Sequence, residues 1–204
     1  MLDLSKFDYV NITQLTGNIE DDAISFLKEN NKHKIAGHVL EVAEVAEELA
    51  AQFRLDSYIA RTAAILHDIS GVLKTDDMMA YALNSKWWID ESEKKYPFLL
   101  HQRISCNIAK DIFGIENKTI LSMIECHTTL KDNANDYDIL LFLADKLAWD
   151  QEGTPPYYNY VQQALCTSLI YAAKEYIHYV LNNNLILYPH AWLIAAKDYL
   201  QVKC

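Results

Sequence analysis

The chain has 204 residues, 51 % of them apolar and 23 % charged, enough for one substantial domain with a buried core and unlike the composition of a disordered chain. Five glycines and four prolines leave too little turn chemistry for a many-stranded sandwich or barrel. Neither GxGxxG nor GxxxxGK[ST] occurs, and a net charge of −10 with three scattered arginines (Arg54, Arg61, Arg103) argues against bulk nucleic acid.

The N-terminal Met-Leu-Asp-Leu-Ser-Lys lacks the charged and apolar regions of a signal peptide, and no run of about 18 apolar residues would span a bilayer. A cytoplasmic protein without a membrane partner is expected. From His33 to Arg54 apolar residues recur at helical spacing through Val39, Val42, Ala46, Leu49 and Phe53. Asp56 is a candidate N-cap for a helix running to about Ile69, and Thr75 with Asp76 and Asp77 opens another that reaches Leu83. The stretch from Asn84 to Leu100, with Trp87, Trp88 and Pro97, reads as a long connection. Helices follow over His101–Phe113 (closed by Gly114), Lys118–His127 and Tyr137–Trp149, with Asn117 and Asp136 as caps. Gly153-Thr154-Pro155-Pro156 is the strongest break. Beyond it come a tyrosine-rich helix over Tyr157–Val180, a polar turn at Asn182–Asn184 and a short helix from about Pro189.

The expectation is one all-α domain over residues 1–204, a bundle of seven to nine helices. Its core spans about 33–150 and a helical appendage about 155–204. The four cysteines (Cys106, Cys126, Cys166, Cys204) form no CxxC pair and read as reduced thiols, with Cys126 in the core. The tyrosines at 157, 158, 160, 171, 176 and 179 read as either a packing face or a homodimer face.

Six polar residues sit on or beside apolar helix faces. His38 lies on the Val42, Val45, Leu49 side of its helix, and His67-Asp68 ends Ala-Ala-Ile-Leu. His101 follows Leu-Leu, His127 ends Ile-Leu-Ser-Met-Ile-Glu-Cys, and Asp145 is embedded in Leu-Leu-Phe-Leu-Ala. One inward histidine is ordinarily a hydrogen-bonded core residue. Six such residues spread over five helices instead point to a metal site, because a buried carboxylate needs a partner or a cation. Mixed imidazole and carboxylate donors suit Fe, Mn, Zn or Ni better than Ca or Mg. Lys74, Arg103, Thr128 and Lys146 are the cationic and hydroxyl groups nearest these residues in sequence, and are the candidates for holding a substrate phosphate. Trp87, Trp88 and Trp149 flank the same segments, as base-stacking or as ordinary packing aromatics.

The ordered pattern H…HD…H…H…D resembles the HD-domain metal-dependent phosphohydrolases, and within them the YqeK-type branch, over about residues 33–150. That resemblance implies an all-α fold and a centre of two divalent ions, most often iron, bridged by Asp68. It implies His38, His67 and Asp145 on one ion and His101 with His127 on the other, with Asp68 and His67 central to catalysis. The activity it implies is symmetrical hydrolysis of diadenosine tetraphosphate, a small-molecule nucleotide, to ADP. The chain departs from the branch at Gly71, where a lysine is usual, at Leu130, where a glycine is common, and over the 146–157 segment. Gly71 favours the alternative, a non-catalytic nucleotide or metal sensor that keeps the site.

Overall fold

The computed structural model describes residues 3–12, 14–149 and 151–203. Among them are eleven α-helices and three short 3-10 turns, with no strand. The helices are α1 (Ile19–Glu29), α2 (His33–Phe53), α3 (Ser57–Leu66), α4 (Thr75–Asn84), α5 (Glu91–Lys95) and α6 (His101–Asp111). They continue as α7 (Lys118–Cys126), α8 (Asp136–Leu147), α9 (Tyr158–Leu165), α10 (Leu169–Asn182) and α11 (Ala191–Lys203). The all-α expectation holds, and the extra helices have local causes.

Asn18 caps α1, an element the sequence reading did not mark. The supposed connection over Asn84–Leu100 contains α5, started by a capping box in which Asp90 accepts from Ser92 N and Glu93 accepts from Asp90 N. The tyrosine-rich helix is two helices, because Ser168 turns extended and caps α10 through Tyr171 N. Asp56 and Asn117 cap α3 and α7 as expected. The cap of α8 is Asn135 rather than Asp136, since Asn135 Oδ1 accepts from Tyr137 N at 2.9 Å. Gly114 holds a left-handed conformation (φ +67°) just beyond α6, a backbone that favours glycine.

Helices α2, α3, α7 and α8 pack in a ring, each touching the next, and α6 covers α7. Close approach of α2 to α3 is permitted by Ala60, Ala63 and Ala64, which are fully buried. Helix α8 is buried over Ile139–Ala144, so Asp145 emerges from an apolar run at the centre of the bundle. Helix α10 packs on α8 and α9, and α11 on α10. No helix among the described residues is long and apolar enough to cross a membrane. Cys106, Cys126 and Cys166 are free thiols, Cys126 fully buried, while Cys204 lies outside the described residues.

Candidate metal centre

His67 and His127 occupy equivalent places, each the residue at which a central helix ends. The last carbonyls of a helix lack intrahelical partners, and each histidine takes one. His67 Nδ1 donates to Ala64 O at 2.6 Å, and His127 Nδ1 to Ile124 O at 2.8 Å. His101, the first residue of α6, does the same with Phe98 O at 2.6 Å, from the 3-10 turn Pro97–Leu100. With Nδ1 donating in all three, each Nε2 is left as a lone pair facing the same interior point.

Two carboxylates meet these nitrogens. Asp68 Oδ1 lies 3.3 Å from His101 Nε2 and 3.5 Å from His127 Nε2, and its Oδ2 lies 3.7 Å from His67 Nε2. Asp145 Oδ1 lies 3.1 Å from His38 Nε2 and 3.6 Å from His67 Nε2, while its Oδ2 pairs with Lys146 Nζ. The residues form two triads, His38–His67–Asp145 and His67–Asp68–His127, with His101 beside the second. All six expected ligands are therefore brought together.

Burial and charge oppose each other at these residues. Burial opposes a charged His67, but Asp68 and Asp145 outweigh it and push its pKa up to about 9. His127 is equally buried and meets one carboxylate and two imidazoles, so its pKa is pushed down to about 4. Burial alone would raise both aspartates, yet the surrounding histidines, with Lys146 at Asp145, hold them well below the usual carboxylate range. Two anionic carboxylates thus stand among imidazole nitrogens, with His67 drawing a proton in response. His67 Nε2 has no hydrogen-bond partner, although its side chain is fully buried. An orphaned buried nitrogen is costly unless a cation takes it. The donor set fits a divalent transition metal.

His38, Asp68, His101 and Asp145 open on a cavity of about 620 Å³ that is also lined by Lys34, Glu41, Thr128, Lys146, Trp149 and Tyr157, with His67 and His127 buried behind them. Thr128 Oγ1 lies 3.0 Å from His101 Nε2. Gln102, fully buried, accepts from Thr128 N and Thr129 N and so holds the turn after His127. Leu130, at the position where glycine is common, adopts the left-handed backbone itself (φ 56°) and is fully buried.

Two of the expected phosphate-binding residues lie elsewhere. Lys74 Nζ sits 4.1 Å from the centre of the Tyr9 ring, because the 3-10 turn Ile69–Val72 carries the chain away after Asp68. Arg103 stacks on Trp87 and bonds Trp88 O and Glu93, so neither Arg103 nor Trp87 lines the cavity. Trp88 is 61 % exposed on the same side, and Trp149 alone of the three tryptophans faces the site. Lys34 was missed. Its position four residues before His38 on α2 puts both on one face, a spacing legible in the sequence. Gly71 is covered by Ile35: a Cβ there would lie 2.3 Å from Ile35 Cδ1.

The HD domain family model matches residues 35–150. An uncharacterized protein in the pepC 5' region of Lactococcus lactis subsp. cremoris is 34 % identical over 74 % of this chain and 78 % of its own length. A protein of Halalkalibacterium halodurans named symmetrical bis(5'-nucleosyl)-tetraphosphatase is 25 % identical over 74 % of this chain and 82 % of its own. The fold is shared with a predicted HD superfamily hydrolase involved in NAD metabolism from Clostridium acetobutylicum. That structure has a TM-score of 0.78, covers 90 % of this chain and 97 % of its own, and is 24 % identical.

Proposed function

The chain belongs to the HD domain family, and on that premise we propose that it is a metal-dependent phosphohydrolase that cleaves a dinucleoside polyphosphate symmetrically. The observation that carries the reading is the convergence of His38, His67, His101, His127, Asp68 and Asp145 in one cluster at the wall of the cavity, with the Nε2 atoms of His67, His101 and His127 turned inward. The name of the Halalkalibacterium relative supports the substrate. His38, His67 and Asp145 would hold one ion and His101 with His127 a second, with Asp68 available to both. Iron is the first choice, with Mn, Zn or Ni as alternatives.

Two divalent cations bound there supply Lewis acidity, lowering the pKa of water and offsetting phosphate charge. The chain's own groups do the rest. Lys34, Lys146 and the Thr128 hydroxyl face the cavity and bind the phosphate chain. Asp68, with 26 % of its side chain exposed, orients the attacking water, and fully buried His67 holds the carboxylates behind it. Water adds its oxygen to one of the two central phosphorus atoms, and the P–O bond to the oxygen between them breaks. That oxygen departs on one ADP while the attacked half becomes the second, and the proton lost by water passes to solvent. The leaving ADP is a stable anion, so the lysines need only offset its charge.

Metal-loaded protein incubated with diadenosine tetraphosphate tests the reading: ADP as the sole nucleotide product supports it, and ATP with AMP contradicts it. The sensor reading has one observation in its favour, the Ile35 side chain packed where the branch usually carries lysine. Tight binding without turnover would establish that alternative. We read the protein as cytoplasmic from cysteine spacing that forms no CxxC pair.

A further inference from the structure

A second cavity, of about 370 Å³, adjoins the metal cavity, and Thr128 and Lys146 line both. Its walls are of a different kind. Tyr96 and Phe98 form one side, and Leu185, Leu187 and Tyr188, from the segment between α10 and α11, form the other. Phe98, Leu185, Leu187 and Tyr188 are 50 %, 51 %, 73 % and 49 % exposed, which gathers much of the exposed apolar surface at one mouth. The Tyr96 and Tyr188 rings lie 5.8 Å apart at 66°.

This wall is built rather than loose. Asp90 Oδ2 accepts from Ala191 N at 3.2 Å, and buried His190 sits 3.6 Å from Glu93 and accepts from Trp192 N. Both acids belong to the start of α5, so the α10–α11 segment is tied down before any ligand arrives.

We propose that this cavity receives one of the two flat bases of the substrate, with the phosphate chain crossing Thr128 and Lys146 from the metal cavity. The inference rests on the dinucleoside polyphosphate reading and extends it to the second nucleoside. The volume falls within the range of about 300–1,000 Å³ typical of small-molecule sites. Aromatic walls suit a ligand with a π face. The one lysine lining the cavity lies on the side shared with the metal cavity, so the ligand is anionic at that end and apolar at the other.

Titration calorimetry on full-length, Mn²⁺-loaded protein tests this, with a methylene-bridged, non-hydrolysable diadenosine tetraphosphate and with ADP as probes. Wild type binds the dinucleoside analogue at least about tenfold more tightly than ADP, the scale of one stacked base. Tyr188→Ala and Leu187→Glu, both at exposed positions, bring that ratio close to one with an unshifted melting temperature. Variants that keep the wild-type ratio overturn the inference while leaving the hydrolase reading standing. Wild-type protein that binds neither probe overturns both.

Discussion

His101 Nε2 and His127 Nε2 lie 2.9 Å apart, and each ring has already donated its Nδ1 hydrogen to a backbone carbonyl. Two lone pairs at that separation repel unless a proton or a cation stands with them. Asp68, within 3.5 Å of both nitrogens, adds negative charge to the same point. His127→Ala, His101→Ala and His67→Ala are therefore each expected to lose one ion per chain by elemental analysis, and Asp68→Ala to lose both. Hydrolysis falls at least about hundredfold in each, since even outer-shell changes cost ten- to hundredfold. Full metal content in His67→Ala contradicts the ligand assignment.

Lys34 and Lys146, rather than Lys74 and Arg103, are the cations at the cavity. Lys34→Ala raises KM about ten- to hundredfold, the value of a charge-assisted hydrogen bond of about 1.5–3 kcal/mol. Lys74→Ala changes KM less than about threefold, because its ammonium rests on Tyr9. Steady-state kinetics with both variants decide between them. Equal effects would remove Lys34 from its assigned role.

The contrast shows where the sequence was legible. Aspartate within Leu-Leu-Phe-Leu-Ala and histidine at the end of an apolar helix are conflicts between polarity and burial, visible without coordinates. Helical spacing also sufficed for the central bundle. Nearness in sequence failed for Lys74 and Arg103, because a 3-10 turn and a stacking partner decide where a long side chain points. The split of the tyrosine-rich helix had a signal in Ser168, and α5 had one in Asp90 and Glu93, but both were weak beside the surrounding apolar pattern. The apolar mouth at Leu185–Tyr188 had none, since it exists only where α10, α11 and the 97–100 turn meet.

Glu93 is fully buried and links α5 to Arg103 and His190. Burial alone would raise its pKa, but the imidazole of His190 at 3.6 Å, the hydrogen bond from Asp90 N and the charge of Arg103 hold it below the ordinary value. A depressed carboxylate contributes stability that is complete above its unfolded pKa of about 4.3 and is lost as pH falls through the lower folded value. Glu93→Gln is expected to cost about 3 kcal/mol at pH 7, as a buried pair with one partner removed. Melting curves across pH 7 to about 3 should show the variant losing less than wild type on acidification. A parallel acid limb in both proteins would contradict the assignment.

Gly71 and Ile35 form a coupled pair, since any Cβ at position 71 displaces Ile35 Cδ1. Gly71→Lys alone is expected to cost about 1 kcal/mol or less, since the atom in its way is the movable end of the half-buried Ile35 side chain. Combined with Ile35→Ala, part of that cost is recovered, with a coupling energy of at least about 0.5 kcal/mol in a urea-unfolding double-mutant cycle. Strict additivity would show that the two side chains do not compete for the space.

Product analysis on protein of known metal content tests the central claim most directly. Protein carrying two Fe²⁺ or Mn²⁺ ions per chain is expected to convert diadenosine tetraphosphate to ADP alone, to stop when the ions are chelated and to resume when they are returned. Undiminished turnover by metal-free protein, or no turnover with both ions bound, would contradict it.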